Sequence, residues 1–291
     1  MYTCKDCQGM KNSKEIFSDL QKQIRIQEDS SEIRSILYLI VESVLGLSQS
    51  DVVADRPVSV SDLQQEKLNE VISRINAHEP VQYVLGFAYF YGRKFIVTPA
   101  VLIPRSETEI LIEEVLKEVD PFSTGTILDI GTGSGCIAIT LAKELPAKRV
   151  LGIDVSEEAL KIASENAKKL EATVEFQKVN ALTEKLPASL DVLVSNPPYI
   201  TDSERYSMKK NVLDYEPHLA LFVPDHDPFV FYTIIARKGF TALKDQGKVF
   251  VEINERYGNE VSDIFKDAGF HTVRIIKDLQ GKNRIVYASK Q

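Results

Sequence analysis

From Thr126 onward, short apolar runs alternate with segments of helical periodicity, and few folds accommodate that alternation. The runs Ile127–Ile130, Val150–Ile153, Val174–Val179, Leu190–Val194 and Val249–Ile253 read as strands, Leu190–Val194 as a buried one. Helical patterns fall at about 134–145, 157–170, 229–243 and 260–268. Strand–helix repetition of this kind predicts βαβ units and a mainly parallel sheet, hence an α/β fold. The end of the chain departs from it. His271–Lys277 and Arg284–Ala288 flank the turn signal Gln280-Gly281 with no room for a helix, so they predict a hairpin that puts one antiparallel strand into the sheet.

Open parallel sheets bind ligands beyond the carboxyl ends of their strands. The first strand runs straight into Gly131-Thr132-Gly133-Ser134-Gly135-Cys136, and a helix follows at once. Glycines there let a ligand approach the backbone. The spacing excludes the dinucleotide fingerprint, whose third glycine would stand at Cys136. No lysine follows at the spacing of a triphosphate-binding loop. Asp129, just before the loop, would repel a diphosphate and attract a cation. Asp154 ends the second strand, where a carboxylate can accept both hydroxyls of a ribose; it also suits a strand-end turn or the cap of the next helix. A ribose-bearing, cationic, non-phosphorylated cofactor is S-adenosylmethionine. Its expected contacts are Gly131, Thr132, Gly133, Ser134, Gly135 and Asp154, with Asn180 and Ala181 near the adenine and Asn196 within reach.

The fourth strand leaves through Ser195-Asn196-Pro197-Pro198-Tyr199. Neither proline offers an N–H and both fix φ, so the ladder stops and the carbonyls of Asn196 and Pro197 take set directions. Asn196 adds a side-chain acceptor, and Tyr199 a flat wall with a polar tip. Two fixed acceptors suit a group with two N–H donors, an amide or an aromatic amine. The same residues also describe a plain turn leaving a strand.

The region before the sheet differs in character. Ser30-Ser31 precedes an amphipathic pattern that Gly46 closes, Ser61-x-x-Gln64 matches a capping box, and Ser13–Ile26 predicts a further helix. Residues 1–80 therefore read as a small helical bundle, with 1–14 as a loose tail. Residues 81–105 are aromatic, through Tyr83, Phe87, Phe90, Tyr91 and Phe95, and Gly92-Arg93-Lys94 marks a hairpin turn in a linker. The catalytic domain would span 106–291. A net charge of −7 argues against a duplex-binding protein. No run is long and apolar enough to span a bilayer, and the first residues lack a secretory h-region, so a cytoplasmic protein is expected. Cys4-x-x-Cys7 has no second pair for zinc, and the four histidines are scattered, so no metal is expected.

Together, the glycine loop, Asp154 and Asn196-Pro-Pro-Tyr199 resemble a class I, Rossmann-like methyltransferase acting on a planar nitrogen. Glu79-Pro-Val-Gln-Tyr-Val-Leu-Gly86 and Leu102-Ile-Pro-Arg-Ser-Glu-Thr-Glu109 narrow the resemblance to the release factor glutamine methyltransferase (PrmC/HemK) family. Ser106-Glu107 stands where the family more often has a proline and an acid, and Ala181 where it often has an aromatic. The resemblance implies methylation of the glutamine in the Gly-Gly-Gln motif of peptide-chain release factors. Asn196, Pro197 and Tyr199 would be catalytic, and Asn196, Pro197, Pro198, Tyr199 and Arg105 would hold the substrate. A monomer acting without nucleic acid or membrane is expected. Two other classes fit the same motifs: an adenine-amine methyltransferase on nucleic acid, and a non-catalytic interaction protein that senses S-adenosylmethionine.

Overall fold

The computed structural model describes residues 10–291, so the Cys4–Cys7 pair lies outside the described residues. The chain divides into two compact units after Gly86.

The first unit is helical: α1 (Ser13–Gln23), α2 (Ser30–Leu45), α3 (Gln49–Val53), α4 (Asp62–Asn76) and α5 (Val81–Leu85). Leu37, Ile40, Val41, Leu68, Val71 and Ile75 form its core. The expected capping box of α4 is present, Ser61 and Gln64 each serving the other's backbone N–H. Gly46 ends α2 in the left-handed region, at φ 69°. The cap at the start of α2 is Asp29 rather than Ser30 or Ser31, its carboxylate accepting from both Ser31 N and Glu32 N. The unit runs past the boundary expected at residue 80, because 81–85 coils into a helix whose Val81 and Val84 join this core. The described end of the expected tail is also tied down, since Lys11–Asn12 pairs antiparallel with Pro57–Val58.

The second unit opens with a hairpin, β1 (Phe87–Phe90) and β2 (Arg93–Ile96). Its turn is Tyr91-Gly92, not the expected Gly92-Arg93-Lys94, and Arg93 and Lys94 belong to β2. A two-residue turn matching the twist of the strands needs positive φ at both positions, here 48° and 70°. The strained Tyr91 is held through its N–H, which donates to Glu109 Oε1 at 2.7 Å.

After α6 (Glu109–Glu118) come β3 (Gly125–Ile130), α7 (Cys136–Glu144), β4 (Lys148–Asp154), α8 (Glu157–Lys169), β5 (Glu175–Lys178) and β6 (Leu190–Ser195). Then follow α9 (Lys210–Tyr215), α10 (Val230–Ala242), β7 (Leu243–Glu252), α11 (Gly258–Asp267), β8 (Thr272–Lys277) and β9 (Asn283–Ser289). Seven strands form one sheet in the order β8–β9–β7–β6–β3–β4–β5. All pairs are parallel except those of β9, which runs antiparallel to both neighbours as the terminal hairpin predicts. Alternate residues of each inner strand face opposite layers. Ile127, Val192 and Phe250 pack with Leu111, Ile112 and Leu141 on one face. Leu128, Leu193 and Val251 pack with Tyr232, Ile235 and Phe265 on the other. Both faces are thus dry, which is why these strands read as unbroken apolar runs.

Between β6 and α10 the chain makes an excursion. Ile200–Thr201 pairs in parallel with Phe222–Val223, and the intervening segment, α9 included, brings Met208, Val212 and Leu221 to a cavity shared with Asn196 and Pro197 at the exit of β6.

One buried side chain ties three elements of this unit together. Asn166 of α8, fully buried, accepts from Ile96 N (2.7 Å) and donates to Ile96 O (3.0 Å) and Ser134 O (2.9 Å). Asn166→Ala strands these backbone groups away from water, and should cost about 2–4 kcal/mol. Thermal unfolding should register this as a fall of roughly 4–16 °C in Tm.

Candidate active site

The parallel register places the carboxyl ends of β3, β4, β6 and β7 side by side, with Ile130 opposite both Ile153 and Ser195, and Ser195 opposite Val251. The glycine loop leaves β3 there. Gly131 N and Thr132 N both donate to Ile153 O, at 2.9 and 3.0 Å, turning the loop back over β4. Gly131, Gly133 and Gly135 take φ values of 72°, 54° and 80°, which side chains resist. A Cβ on Gly131 would meet nothing within 4 Å, so the space above the loop is open. A Cβ on Gly135 would lie 2.8 Å from Ile139 Cδ1, so that glycine serves helix packing.

Two carboxylates flank the loop. Asp154 Oδ2 accepts from Gly133 N and Oδ1 from Ser156 N, both at 2.9 Å, so the group is fixed and partly open. Asp129 is fully buried; Oδ2 accepts from the Thr132 hydroxyl at 2.7 Å, while Oδ1 accepts no hydrogen bond of good geometry. Burial pushes its pKa up to about 7, against the Thr132 hydroxyl and the Ala138 amide, and with the Asp154 charge adding to the rise. A buried carboxyl with a vacant oxygen below an open loop fits a cationic ligand. Asn180 and Ala181 follow β5 beside Asp154, whose carbonyl accepts from Val179 N at 3.0 Å. The Ala181, Leu182 and Glu184 carbonyls converge on the Lys238 ammonium at 2.7, 3.0 and 2.6 Å, which holds this loop in shape.

Across the loop, β6 ends at Ser195, whose hydroxyl donates to Ile130 O at 2.8 Å. Asn196 Nδ2 donates to Thr108 Oγ1 at 3.2 Å, and Thr108 Oγ1 donates to Glu252 Oε2 at 2.6 Å. The Tyr199 hydroxyl donates to Glu252 Oε1 at 3.3 Å. Burial raises the Glu252 pKa, opposed by the Thr108 and Tyr199 hydroxyls, and burial followed by the Glu252 charge raises that of Tyr199. A cavity of about 300 Å³ opens here, and Asn196, Pro197, Tyr199, Arg105, Leu102 and Met208 are among its walls. Pro198 is not. Arg105 donates to Glu216 Oε1 at 2.5 Å, and Glu216 Oε2 accepts from Ile103 N, which joins the proline-arginine loop to the excursion after β6. A larger surface hollow of about 530 Å³, lined by Lys143, Lys148, Arg149 and Glu175, lies at the amino ends of β4 and β5, away from all of this chemistry.

The structure therefore brings Gly131 to Gly135, Asp129 and Asp154 into one cluster, and Arg105, Asn196, Pro197 and Tyr199 into another. Sequence reasoning missed Glu216, Glu252 and the link through Thr108. Glu252 had left a signal, an acid inside the apolar run Val249-Phe-Val-Glu-Ile253. Glu216, before a proline in an irregular segment, left none.

Comparison with known proteins bears on both units. A family model described as the methyltransferase small domain matches residues 106–216, and one described as the PrmC N-terminal domain matches residues 19–86. A release factor glutamine methyltransferase of Bacteroides thetaiotaomicron is 43% identical over 261 residues, covering 89% of this chain and 93% of that protein. The protein of that description from Flavobacterium psychrophilum is 40% identical, with 89% and 92% covered. That from Streptococcus pneumoniae is 38% identical, with 94% and 96% covered. Among solved structures, a methyltransferase from Pyrococcus furiosus superposes with a TM-score of 0.52 at 21% identity, over 75% of this chain and 96% of that one, a likeness of fold.

The Asp129 carboxyl makes ligand affinity depend on pH. Below its pKa of about 7 the group is neutral; above it, the carboxylate attracts a cation at the loop, and binding that cation expels the proton. The affinity for S-adenosylmethionine should therefore rise several-fold between about pH 6 and 7.5, and calorimetry on Asp129→Asn should show a flatter dependence.

Proposed function

We propose that this chain, which belongs to the release factor glutamine methyltransferase family, transfers a methyl group from S-adenosylmethionine to the side-chain amide nitrogen of the glutamine in the Gly-Gly-Gln motif of peptide-chain release factors. One observation supports the residue-level reading: the Asn196 NH2 donates to Thr108, which leaves Asn196 Oδ1 as a free acceptor on a residue that lines a cavity of about 300 Å³, room enough for a glutamine side chain and its neighbours.

The cofactor would lie over Gly131–Gly135, with its ribose on Asp154 and its adenine beside Asn180 and Ala181. It supplies an electrophilic sulfonium methyl. Everything else is done by this chain. An amide nitrogen is a poor nucleophile because its lone pair is delocalised into the carbonyl. Asn196 Oδ1 and the Pro197 carbonyl accept the two amide hydrogens and turn the nitrogen toward the methyl. Orientation of this kind supplies several kcal/mol, up to about 7–11 in ideal cases. As the nitrogen–methyl bond forms and the methyl–sulfur bond breaks, positive charge moves onto the nitrogen and both hydrogen bonds strengthen, which is selective binding of the transition state. The sulfur would leave as a neutral thioether, and the nitrogen would give up one of its two hydrogens to solvent as a proton. Tyr199, buttressed by Glu252, walls the side chain in. Arg105 shapes the far side and has its own charge matched by Glu216. Pro198, outside the cavity lining, fixes φ one residue further along the turn. Glutamate would bring no hydrogens to these acceptors, leaving them unpaired at about 1–3 kcal/mol each. All of these groups come from one chain, so the reading needs no second copy.

Asn196→Ala should keep cofactor affinity while lowering kcat by about 10²–10³-fold on a release factor substrate, measured by mass spectrometry of the Gly-Gly-Gln peptide. Parental turnover in that variant would remove Asn196 from the mechanism. Asp154→Ala should do the reverse, weakening cofactor binding in calorimetry while leaving the cavity intact.

A further inference from the structure

The line Asn196–Thr108–Glu252 has only one consistent direction when Glu252 is ionised. A carboxylate only accepts. The Thr108 hydroxyl has one hydrogen, and at 2.6 Å that hydrogen belongs to Glu252 Oε2. The Thr108 oxygen can then only accept, so it must meet the NH2 end of Asn196, as it does at 3.2 Å. Thr108 is 2% exposed and Glu252 4%, so water is not at hand to take either place. The other carboxylate oxygen is occupied by the Tyr199 hydroxyl. An asparagine amide in isolation turns over at little cost. Here the donor count sets which end faces the cavity.

We propose that Thr108 and Glu252 are positioning residues: their one-way hydrogen-bond relay holds the Asn196 side chain with its oxygen toward the cavity, so that the site takes an NH2 group and refuses a carboxylate. The inference rests on the functional reading above and adds to it the origin of its selectivity.

The relay also has a failure mode. A protonated Glu252 can donate to Thr108, Thr108 can then donate to Asn196 Oδ1, and the amide turns its NH2 toward the cavity. Donor then meets donor and the substrate amide is no longer held. The groups acting on Glu252 are the Thr108 and Tyr199 hydroxyls and the Arg284 guanidinium, which favour its charge, and the Glu107 carboxylate, which opposes it. Tyr232 donates to the Glu252 backbone carbonyl and not to its side chain. Burial raises the Glu252 pKa, so turnover is lost as pH falls toward that value.

The test is steady-state methylation of a release factor at saturating cofactor, with thermal unfolding as a control for each variant. Thr108→Val keeps the shape and removes both hydrogen bonds; kcat should fall ten- to a hundredfold while cofactor affinity holds. Thr108→Ser should recover most of that loss. Glu252→Gln, whose amide both donates and accepts, lets the relay run either way, so kcat should fall and the acid limb of the kcat profile should flatten. Parental kcat in Thr108→Val, equal losses in the valine and serine variants, or an acid limb that persists in Glu252→Gln would each overturn the relay. Absence of methylation by the parent enzyme would overturn the functional reading instead. The relay is then read directly by NMR, where the Asn196 side-chain NH2 resonance should move on Thr108→Val; an unmoved resonance overturns it.

Discussion

The hydroxyl of Ser195 donates to the carbonyl of Ile130 at 2.8 Å, and the rest of the site depends on the register that this contact closes. β3 and β6 are adjacent and parallel, with Ile130 opposite Ser195. Parallel pairing makes both strands end at the same edge of the sheet. The next residue of one is Gly131, where the backbone turns without a side chain. The next residue of the other is Asn196, where two prolines forbid further pairing. A slip of one residue would reverse which face of each strand meets which core, so the buried faces enforce this alignment. The glycine loop and the cleft at Asn196 are neighbours because the buried layers hold β3 and β6 in this register.

What the sequence made legible follows from how local each signal is. Inner strands covered on both faces are continuous apolar runs, so β3, β4, β6 and β7 could be read one by one. The terminal hairpin was legible because a chain with no room for a helix must turn back. The hairpin turn at Tyr91-Gly92 was placed too late, because a tyrosine at positive φ is stabilised by Glu109, not by its own type. The short α5, caught between Pro80 and Gly86, has too few residues to show a period. The supports of the site were the least legible part. Arg105 meets Glu216 across 111 residues, and Thr108 meets Glu252 across 144. Such pairs have no spacing to recognise, since only the folded sheet makes them neighbours.

The ionic arrangement of the site is asymmetric in a way that suits the chemistry. Asp129 and Glu252 are both buried at the carboxyl edge, and both have hydroxyl partners instead of a cation in hydrogen-bonding contact. Leaving carboxyls in such a place costs stability, and their raised pKa values express that cost. Meanwhile Arg105, the one cation among the described residues of the cavity walls, is matched by the buried Glu216. The result is an edge with carboxylates beside the glycine loop, the side proposed for the cofactor, and fixed oxygen dipoles at the exit of β6, the side proposed for the substrate. Methyl transfer from a sulfonium to a neutral amide moves positive charge from the first to the second. An unpaired cation in the cavity would oppose that movement, and a free anion there would bind water and solvate the amide before reaction. Paired charge at the rim and oriented neutral acceptors at the centre avoid both, because prearranged dipoles respond to the growing charge without first having to reorganise.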